Sequence, residues 1–342
     1  MMKAVLVLAL VVVIVPIGWW AKGTQVGHAN ETAVPTLKSP GSTYLGEGRG
    51  LHPQSVPSNP PSVAYTLDLC TNKLYAGNAL PTDCKVGVGP EPLGAAYDSG
   101  RDEVYVAGGA VYVISDSNNT VVAKVNVGTY PEGVAYDSGK GEVFVTNGDS
   151  HSVSVISDSS NTVVATVQVG LDPGGVAYDS GKGEVFVANQ GSGNVSVISD
   201  ASNSVVATVT GIGSSSVAPS YPTVAYDVGR GEVFATNDMG PLSKVGAILD
   251  STNTLVATVS NIGVGPYGLA YDSGKGEIFV ANYGTSNMSV ISDSSDTVVA
   301  TVSIGNGHVG SGPDGLAYDN GNGEVFVANS VLDSVPLYGL CM

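Results

Sequence analysis

The sequence predicts an all-β protein, and three observations support that prediction. The ten-residue motif YDSGKGEVFV occurs at 136–145 and 178–187, and it returns as YDSGKGEIFV at 271–280. Looser copies bring the number to seven, at spacings of 32 to 48 residues. The chain also contains 46 glycines and 18 prolines, which favours many short strands over helices. A period of this size with four strand-sized segments predicts a seven-bladed β-propeller of four-stranded blades.

One repeat illustrates the four strands. They are GVAYD (133–137), EVFVTN (142–147), SVSVIS (152–157) and TVVATVQV (162–169). The second segment is apolar on both faces, as expected of a strand that neighbouring blades cover on both sides. The fourth alternates valine and alanine with threonine and glutamine, interrupted only by Val164, which predicts a half-exposed outer strand.

The repeated motif is predicted to be a hairpin turn rather than a catalytic loop. Tyr136 ends the first strand, Asp137 is placed to accept hydrogen bonds from the turn backbone, and Gly139 and Gly141 are expected to adopt positive φ. The segment ISDSSN at 156–161 closes the next hairpin of the same repeat. Its spacing differs from that of a calcium-binding loop, so no metal site is predicted from it.

The aromatic residues recur with the strands and are predicted to pack between blades. All five phenylalanines occupy one second-strand position, which Tyr75 and Tyr105 fill in the first two repeats. The phenylalanines are Phe144, Phe186, Phe234, Phe279 and Phe326, and each repeat begins with a tyrosine: Tyr65, Tyr97, Tyr136, Tyr178, Tyr226, Tyr271 and Tyr318.

The segments GEVFVTN and SVSVISDSSNTVVATVQVG resemble the YVTN-type β-propeller repeat of archaeal and bacterial surface-layer and secreted proteins. The resemblance covers roughly residues 61–340. Proteins with this repeat include surface proteins, lyases, lactonase-like hydrolases and domains of redox enzymes. The resemblance therefore implies a series of blades without implying one reaction.

The chain is predicted to have three parts: residues 1–22, a linker or stalk at 23–60, and the propeller at 61–342. An apolar run from Ala4 to Ala21 follows Lys3 and ends in two tryptophans. This predicts an N-terminal hydrophobic helix that is either a cleaved signal peptide or a membrane anchor. The protein is accordingly expected to be extracellular or on the cell surface, with this segment as its only contact with a membrane.

The charge balance excludes one class of partner. Acidic residues outnumber basic ones 30 to 13, for a net charge of −17. Nucleic-acid binding requires lysine and arginine clustered on one face, and the sequence contains no such cluster. No nucleic-acid partner is therefore expected.

Two cysteines are predicted to form a disulfide. Cys70 and Cys84 would close a 15-residue loop in an oxidising compartment, which stabilises the fold by ~3 kcal/mol in the loop-entropy model. Cys341 is then left over. It is either a buried or terminal thiol or one half of an intermolecular bridge.

The loops of a propeller fall on two faces. The face with the first-to-second and third-to-fourth turns carries near-copies of one motif, including Lys140, Lys182 and Lys275, and is called the repeat face here. The variable face carries the second-to-third loops and the links between blades, which differ in length and composition. Variation on one face of a repeat array indicates where a partner binds.

Four tyrosines are the candidate binding residues of the variable face: Tyr130, Tyr221, Tyr267 and Tyr283. Their rings suit a protein or glycan partner. The alternative is that these tyrosines, several of which adjoin proline, pack the links. No catalytic residue and no cofactor is predicted, and His151 and His308 lie too far apart in the repeat order to share a metal.

The leading hypothesis is a non-catalytic binding or surface-structural module that acts through the variable face. The alternative is a secreted propeller enzyme, a lyase or lactonase-like hydrolase, with a carboxylate-based metal site at the central mouth.

Overall fold

The structure is a computed structural model. It describes residues 65–68, 73–76, 86–89, 92–212, 223–237, 243–304, 313–319, 324–329 and 337–338. Within these ranges the chain forms 25 strands and no helix, and hence no helix that could cross a membrane. The predicted N-terminal helix and linker lie outside the described residues. So do Cys70, Cys84 and Cys341, and their pairing stays a prediction.

The described strands form seven antiparallel sheets, here called blades, in which spatial order follows sequence order. Blade 1 contains β1 (Tyr65–Asp68) and β2 (Lys73–Ala76). Blade 2 contains β3 (Ala95–Asp98), β4 (Glu103–Gly108), β5 (Ala110–Ser115) and β6 (Thr120–Val125). Blade 3 contains β7 (Pro131–Asp137), β8 (Glu142–Asn147), β9 (Ser152–Ser157) and β10 (Thr162–Gln168). Blades 4 and 5 contain β11 (Pro173–Asp179), β12 (Glu184–Asn189), β13 (Asn194–Ser199) and β14 (Ser204–Val209); and β15 (Val224–Asp227), β16 (Glu232–Asn237), β17 (Lys244–Leu249) and β18 (Thr254–Val259). Blades 6 and 7 contain β19 (Pro266–Asp272), β20 (Glu277–Asn282), β21 (Asn287–Ser292) and β22 (Thr297–Ser303); and β23 (Pro313–Asp319), β24 (Glu324–Asn329) and β25 (Leu337–Tyr338).

The strand boundaries match the prediction for the repeat at 133–169 to within two residues. The two-stranded first blade belongs to a compact unit separate from blades 2 to 7, which lie within residues 87–342. In that first blade, Tyr65 pairs with Ala76 and Asp68 pairs with Lys73. The β-propeller fold predicted from the repeats is confirmed by this series of blades.

The first strands of neighbouring blades approach each other closely. β7 contacts β11, and β19 contacts β23. A Cβ added at Gly133 would lie 2.4 Å from the carbonyl oxygen of Gly174 in the next blade. Only glycine allows that approach, because two backbones leave no flexible atom to move aside. The glycine of the first strand therefore sets the spacing between inner strands.

The fourth strands carry a bulge that explains the irregular valine in the sequence pattern. In blade 3, Val163 pairs with Ile156 and Ala165 pairs with Val155, so Val164 is an extra residue. The equivalent exposed residues are Val122, Val164, Val206, Val256 and Val299. A bulge increases the local twist of an edge strand and makes it a poor template for pairing with another chain.

The core consists of clusters that each span two neighbouring blades. Phe186 of blade 4 packs with Val233 and Ile248 of blade 5, and Tyr226 of blade 5 covers the same cluster. Tyr105, Phe144, Phe186 and Phe234 are fully buried, and Phe279 nearly so, whereas Phe326 is half-buried. The predicted role of the repeated aromatics as packing between blades is confirmed for Tyr105 and the four buried phenylalanines, each of which lies in a cluster that spans two blades.

Candidate functional site

The turn of the repeat face forms as predicted at Asp137. Its Oδ1 accepts hydrogen bonds from the N–H groups of Gly139 at 2.8 Å and Lys140 at 3.2 Å. Gly141 has a φ of +66°, but Gly139 is not in the positive-φ region, so that part of the prediction was wrong. Glycine is required at position 139 for lack of space: an added Cβ would lie 3.1 Å from Asp137 Oδ1 and 3.4 Å from the Tyr178 hydroxyl oxygen.

The side chains of the repeat face bond neighbouring blades to each other. The Tyr178 hydroxyl donates to Asp200 Oδ2 at 3.3 Å and also approaches Asp137 of the preceding blade. Burial, and then these two carboxylates, raise the pKa of the Tyr178 phenol above its usual range. The Lys140 ammonium of blade 3 donates to the Asp200 carbonyl of blade 4. The repeated residues of this face are therefore engaged in structural contacts.

The links of the variable face are bonded to the second-to-third loop of the blade that they enter. The carbonyl oxygen of Tyr130 accepts from Gly148 N–H at 2.8 Å, and that of Asp172 accepts from Gln190 N–H at 2.8 Å. In blade 6, Gly265 accepts from Tyr283 N–H at 2.7 Å in the same way. The three links thus share one backbone arrangement.

That arrangement places the residue before the link proline at positive φ. The φ angles are 58° at Tyr130, 55° at Asp172 and 68° at Gly265. Glycine adopts this conformation freely, whereas a non-glycine residue there costs on the order of 1–3 kcal/mol. Tyr130 and Asp172 therefore hold strain at a position where blade 6 uses glycine. Strain of this kind is concentrated at binding and catalytic sites.

Three side chains of the variable face meet above Gly148. A Cβ added there would lie 2.9 Å from Glu132 Oε1 and 3.4 Å from both Asp172 Oδ1 and Tyr130 Cδ1. These three residues are called the Glu132 cluster here. Burial raises the pKa of the Glu132 carboxyl to about 8, with further contributions from Asp172 and Asp149. Near neutral pH the cluster therefore presents a Glu132 carboxyl that holds its proton more readily than an ordinary glutamate does.

His151 stands beside the Glu132 cluster and helps to fix the link. It lies in the loop after β8 at a φ of 50°. Its Nδ1 atom lies 2.9 Å from the carbonyl oxygen of Gly148 and 3.1 Å from the main-chain nitrogen of Asp172. His308 lies outside the described residues.

The structure brings two of the four predicted tyrosines together. Tyr267 is the second residue of β19 and Tyr283 follows β20, and their rings stack with centroids 5.1 Å apart and planes 9° from parallel. Tyr130 lies in blade 3, away from this pair and within the Glu132 cluster. Tyr221 lies outside the described residues.

Sequence reasoning missed Glu132 and Asp172. Both adjoin a proline of the links, at positions whose residue type varies from repeat to repeat. The variation at these positions within an otherwise repeated segment was the sequence signal that could have identified the two residues. Among the residues that the structure describes, no group of three or more His, Cys, Asp or Glu side chains is arranged to hold a metal ion.

Comparison with known proteins identifies the fold and no more. No family model and no curated protein matches the chain, so membership of the YVTN-type repeat family stays a prediction. Among solved structures, the chain is similar to the WD40 β-propeller domain of Doa1, at 12% identity and a TM-score of 0.60, over 75% of this chain and 81% of that one. It is also similar to hydrazine synthase of Kuenenia stuttgartiensis, at 14% identity and a TM-score of 0.50, over 76% of this chain and 99% of that one. These likenesses agree with the architecture described above, which is that of a β-propeller.

Proposed function

We propose that this protein is a non-catalytic binding module of the cell surface or extracellular space, which takes a protein or glycan partner on its variable face. The location rests on the apolar N-terminal run of the sequence. The choice of face rests on how differently the two faces use their side chains.

The observation that carries the proposal is the concentration of non-repeated aromatic and acidic groups on the variable face. The Glu132 cluster and the Tyr267–Tyr283 stack occur there once each among the described residues. The repeat face offers the same turn in blade after blade, and its polar groups bond to the neighbouring blade. A single asymmetric partner fits the first arrangement better than the second.

The backbone of the variable face is also held in place before any partner arrives. Its links are hydrogen-bonded to the adjoining loops, and the two stacked tyrosine rings fix each other. Groups ordered in advance lose little conformational entropy on binding, which favours affinity.

The test begins with a screen of the purified exported part, residues 23–342, against glycans and surface proteins. Once a partner is found, a variant with Tyr130, Tyr221, Tyr267 and Tyr283 changed to alanine is compared with one in which Lys140, Lys182 and Lys275 are changed to alanine. The tyrosine variant is expected to lose ~1–4 kcal/mol of binding free energy, as aromatic contact residues do. Both variants must keep the melting temperature of the parent. Loss of binding in the lysine variant alone would contradict the choice of face.

A second candidate function, a secreted lyase or hydrolase, is favoured by one observation. With its pKa raised to about 8, the Glu132 carboxyl is suited to donate a proton near neutral pH. Turnover of polysaccharide or lactone substrates that is abolished by Glu132→Gln, and kept by Asp149→Asn, would establish this function in place of the first.

A further inference from the structure

Pairs of aspartates face each other across four blade junctions of the repeat face. One member is the last residue of the first strand of a blade, and the other lies in the third-to-fourth turn of the next blade. A tyrosine hydroxyl of the second blade approaches both carboxyls. The pairs, called junction pairs here, are Asp98 with Asp158, Asp137 with Asp200, Asp179 with Asp250, and Asp227 with Asp293.

The first member of each pair has a buried oxygen without a hydrogen-bond partner. Asp98, Asp137, Asp179 and Asp227 are each 0% exposed, and in each the Oδ2 atom has no partner. The other oxygen is used by the turn, as at Asp179, whose Oδ1 accepts from Gly181 N–H at 2.8 Å. A buried carboxylate oxygen left unpaired is unfavourable unless a proton or a cation compensates it.

The second member of each pair is held in place by its own blade. The N–H of Asp250 donates to the carbonyl of Gly231 at 2.9 Å, and a Cβ added at Gly231 would lie 2.7 Å from Asp250 Oδ2. The side chain thus lies over the glycine turn and reaches Tyr226 at 3.4 Å. Asp250 is half-buried, so the pair can be reached from solvent.

The single phenol proton cannot satisfy both carboxylates. The Tyr226 hydroxyl lies by both carboxyl groups and donates to Asp250 at 3.4 Å, and Asp179 Oδ2 has no hydrogen-bond partner. Asp250 also has a raised pKa, from burial first and then from the neighbouring Asp179 carboxylate. Hydrogen bonds from the Tyr226 hydroxyl and the Ser251 N–H offset this rise only in part, so repulsion between the two carboxyl groups remains.

The nearby lysine does not neutralise the junction. At the junction of blades 4 and 5, Asp179, Glu184 and Asp250 contribute three carboxylates. Among the described residues of this junction, Lys182 contributes an ammonium, which lies 3.0 Å from Glu184 and donates to the Asp250 carbonyl rather than to a carboxylate of the pair. Three negative charges against one positive leave an excess of two, which is the charge of one divalent cation.

We propose that each junction pair binds a divalent cation of the calcium class, so that the repeat face carries a row of cation sites that tie neighbouring blades together. The buried Oδ2 and the carboxylate of the second aspartate supply the protein oxygens, and water completes the shell. Calcium accepts irregular shells of six to eight oxygens, whereas magnesium demands near-ideal geometry. Sequence spacing within one repeat does not reveal these sites because the two carboxylates come from different repeats.

The test measures calcium bound by the full chain after chelation, by equilibrium dialysis in about 0.15 M NaCl, where screening of general surface charge is constant. Binding is expected to saturate near the four ions that the four pairs predict, with dissociation constants of about 10⁻⁴–10⁻³ M, as in extracellular calcium modules. Calcium should also raise the melting temperature, and bound terbium should emit on excitation of tyrosine.

Two isosteric variants and one control assign the sites. Asp179→Asn and Asp250→Asn should each lose one ion, and should weaken the terbium emission, while the exposed Asp149→Asn on the other face keeps both. Asp250→Asn is the decisive variant if Asp179→Asn fails to fold, since Asp250 is half-buried. Absence of saturable binding, or equal loss in the control, would overturn the proposal. The proposal would also be overturned if acid raised the melting temperature and calcium did not, because each pair would then share a proton in place of a cation.

Discussion

On the repeat face, turns of neighbouring blades are bonded to each other, whereas on the variable face each link is bonded to the loop of the blade that it enters. Asn253 of blade 5, for example, donates to Glu184 of blade 4 at 3.1 Å across the repeat face. On the variable face, main-chain bonds such as Gly148 N–H to the Tyr130 carbonyl are joined by bonds to hydroxyl side chains of the loops, such as Thr129 N–H to Ser150 Oγ at 2.7 Å. The repeat face therefore joins neighbouring blades through the side chains of its repeated turn, whereas the variable face fixes its links chiefly within one blade.

This difference accounts for the uneven repetition of the sequence. A contact between side chains of adjacent blades must be repeated wherever the junction is repeated, so the letters of the turn recur. A link held by main-chain hydrogen bonds can carry tyrosine, aspartate or glycine at one position, as Tyr130, Asp172 and Gly265 do. The variable face is thus free to build a single site on a repeated scaffold.

The largest loss of stability is expected in the core between two blades, which supports both faces. Phe186→Ala removes a fully buried ring from the cluster between blades 4 and 5, and should lower the free energy of unfolding by ~3–5 kcal/mol. Chemical denaturation measures it. Val206→Ala, at a side chain that is 51% exposed, is the control and should change stability by no more than about 0.5 kcal/mol. Equal losses in the two variants would contradict the assignment of the core.

The spacing of the inner strands is the next target. Gly133→Ala would place a methyl group 2.4 Å from the carbonyl oxygen of Gly174, and such overpacking costs ~1–3 kcal/mol. Gly87→Ala is the matched control because nothing lies within 4 Å of its added Cβ. If thermal melting shows the two variants to be equally stable, the close approach of β7 and β11 is wrong.

The raised pKa of Glu132 predicts a pH dependence confined to one window. An unfolded glutamate titrates near pH 4.3, whereas Glu132 titrates at about 8 in the folded protein, so the folded state binds more protons between these values. Stability is therefore lost as pH rises through that window, and Glu132→Gln avoids the loss. Because Glu132 is partly exposed, solvent screening makes this loss of stability smaller than the full pKa difference would give.

The measurement is urea denaturation of the parent and of Glu132→Gln at about pH 4, 6 and 9. The two should be similar at the lowest pH, and the variant should be more stable by about 1–3 kcal/mol at the highest. A difference that stays constant across the series would mean that Glu132 does not titrate in this window.

The smallest expected difference in stability is between two variants of Tyr130, and it distinguishes backbone strain from loss of the ring contact. Both Tyr130→Gly and Tyr130→Ala remove the ring, but alanine keeps a Cβ at a φ of 58°. Glycine relieves that strain at some entropic cost, so the glycine variant should be more stable than the alanine variant by up to about 1 kcal/mol. Differential scanning calorimetry resolves the order of melting temperatures. The reverse order would show that the link is not strained there.

The sequence determined the blade without help from the tertiary structure. Alternation in the fourth strand, the turn at Asp137 and the recurring phenylalanines all follow from local chemistry, in which each residue interacts with neighbours a few positions away or with their repeated equivalents. This local origin also explains why the predicted positive φ of Gly139 was wrong. A local turn pattern does not distinguish a glycine that adopts positive φ from one that leaves room for the Tyr178 hydroxyl of the next blade.

Only the tertiary structure decided which polar groups meet. Glu132 and Asp172 are 40 positions apart in the sequence, and Asp179 and Asp250 belong to different repeats, yet both pairs face each other across a blade junction. Their burial and mutual repulsion arise when neighbouring blades pack side by side and exclude water. A carboxyl group in a linear sequence carries no record of that environment, so the Glu132 cluster and the junction pairs could not be read from the repeats alone.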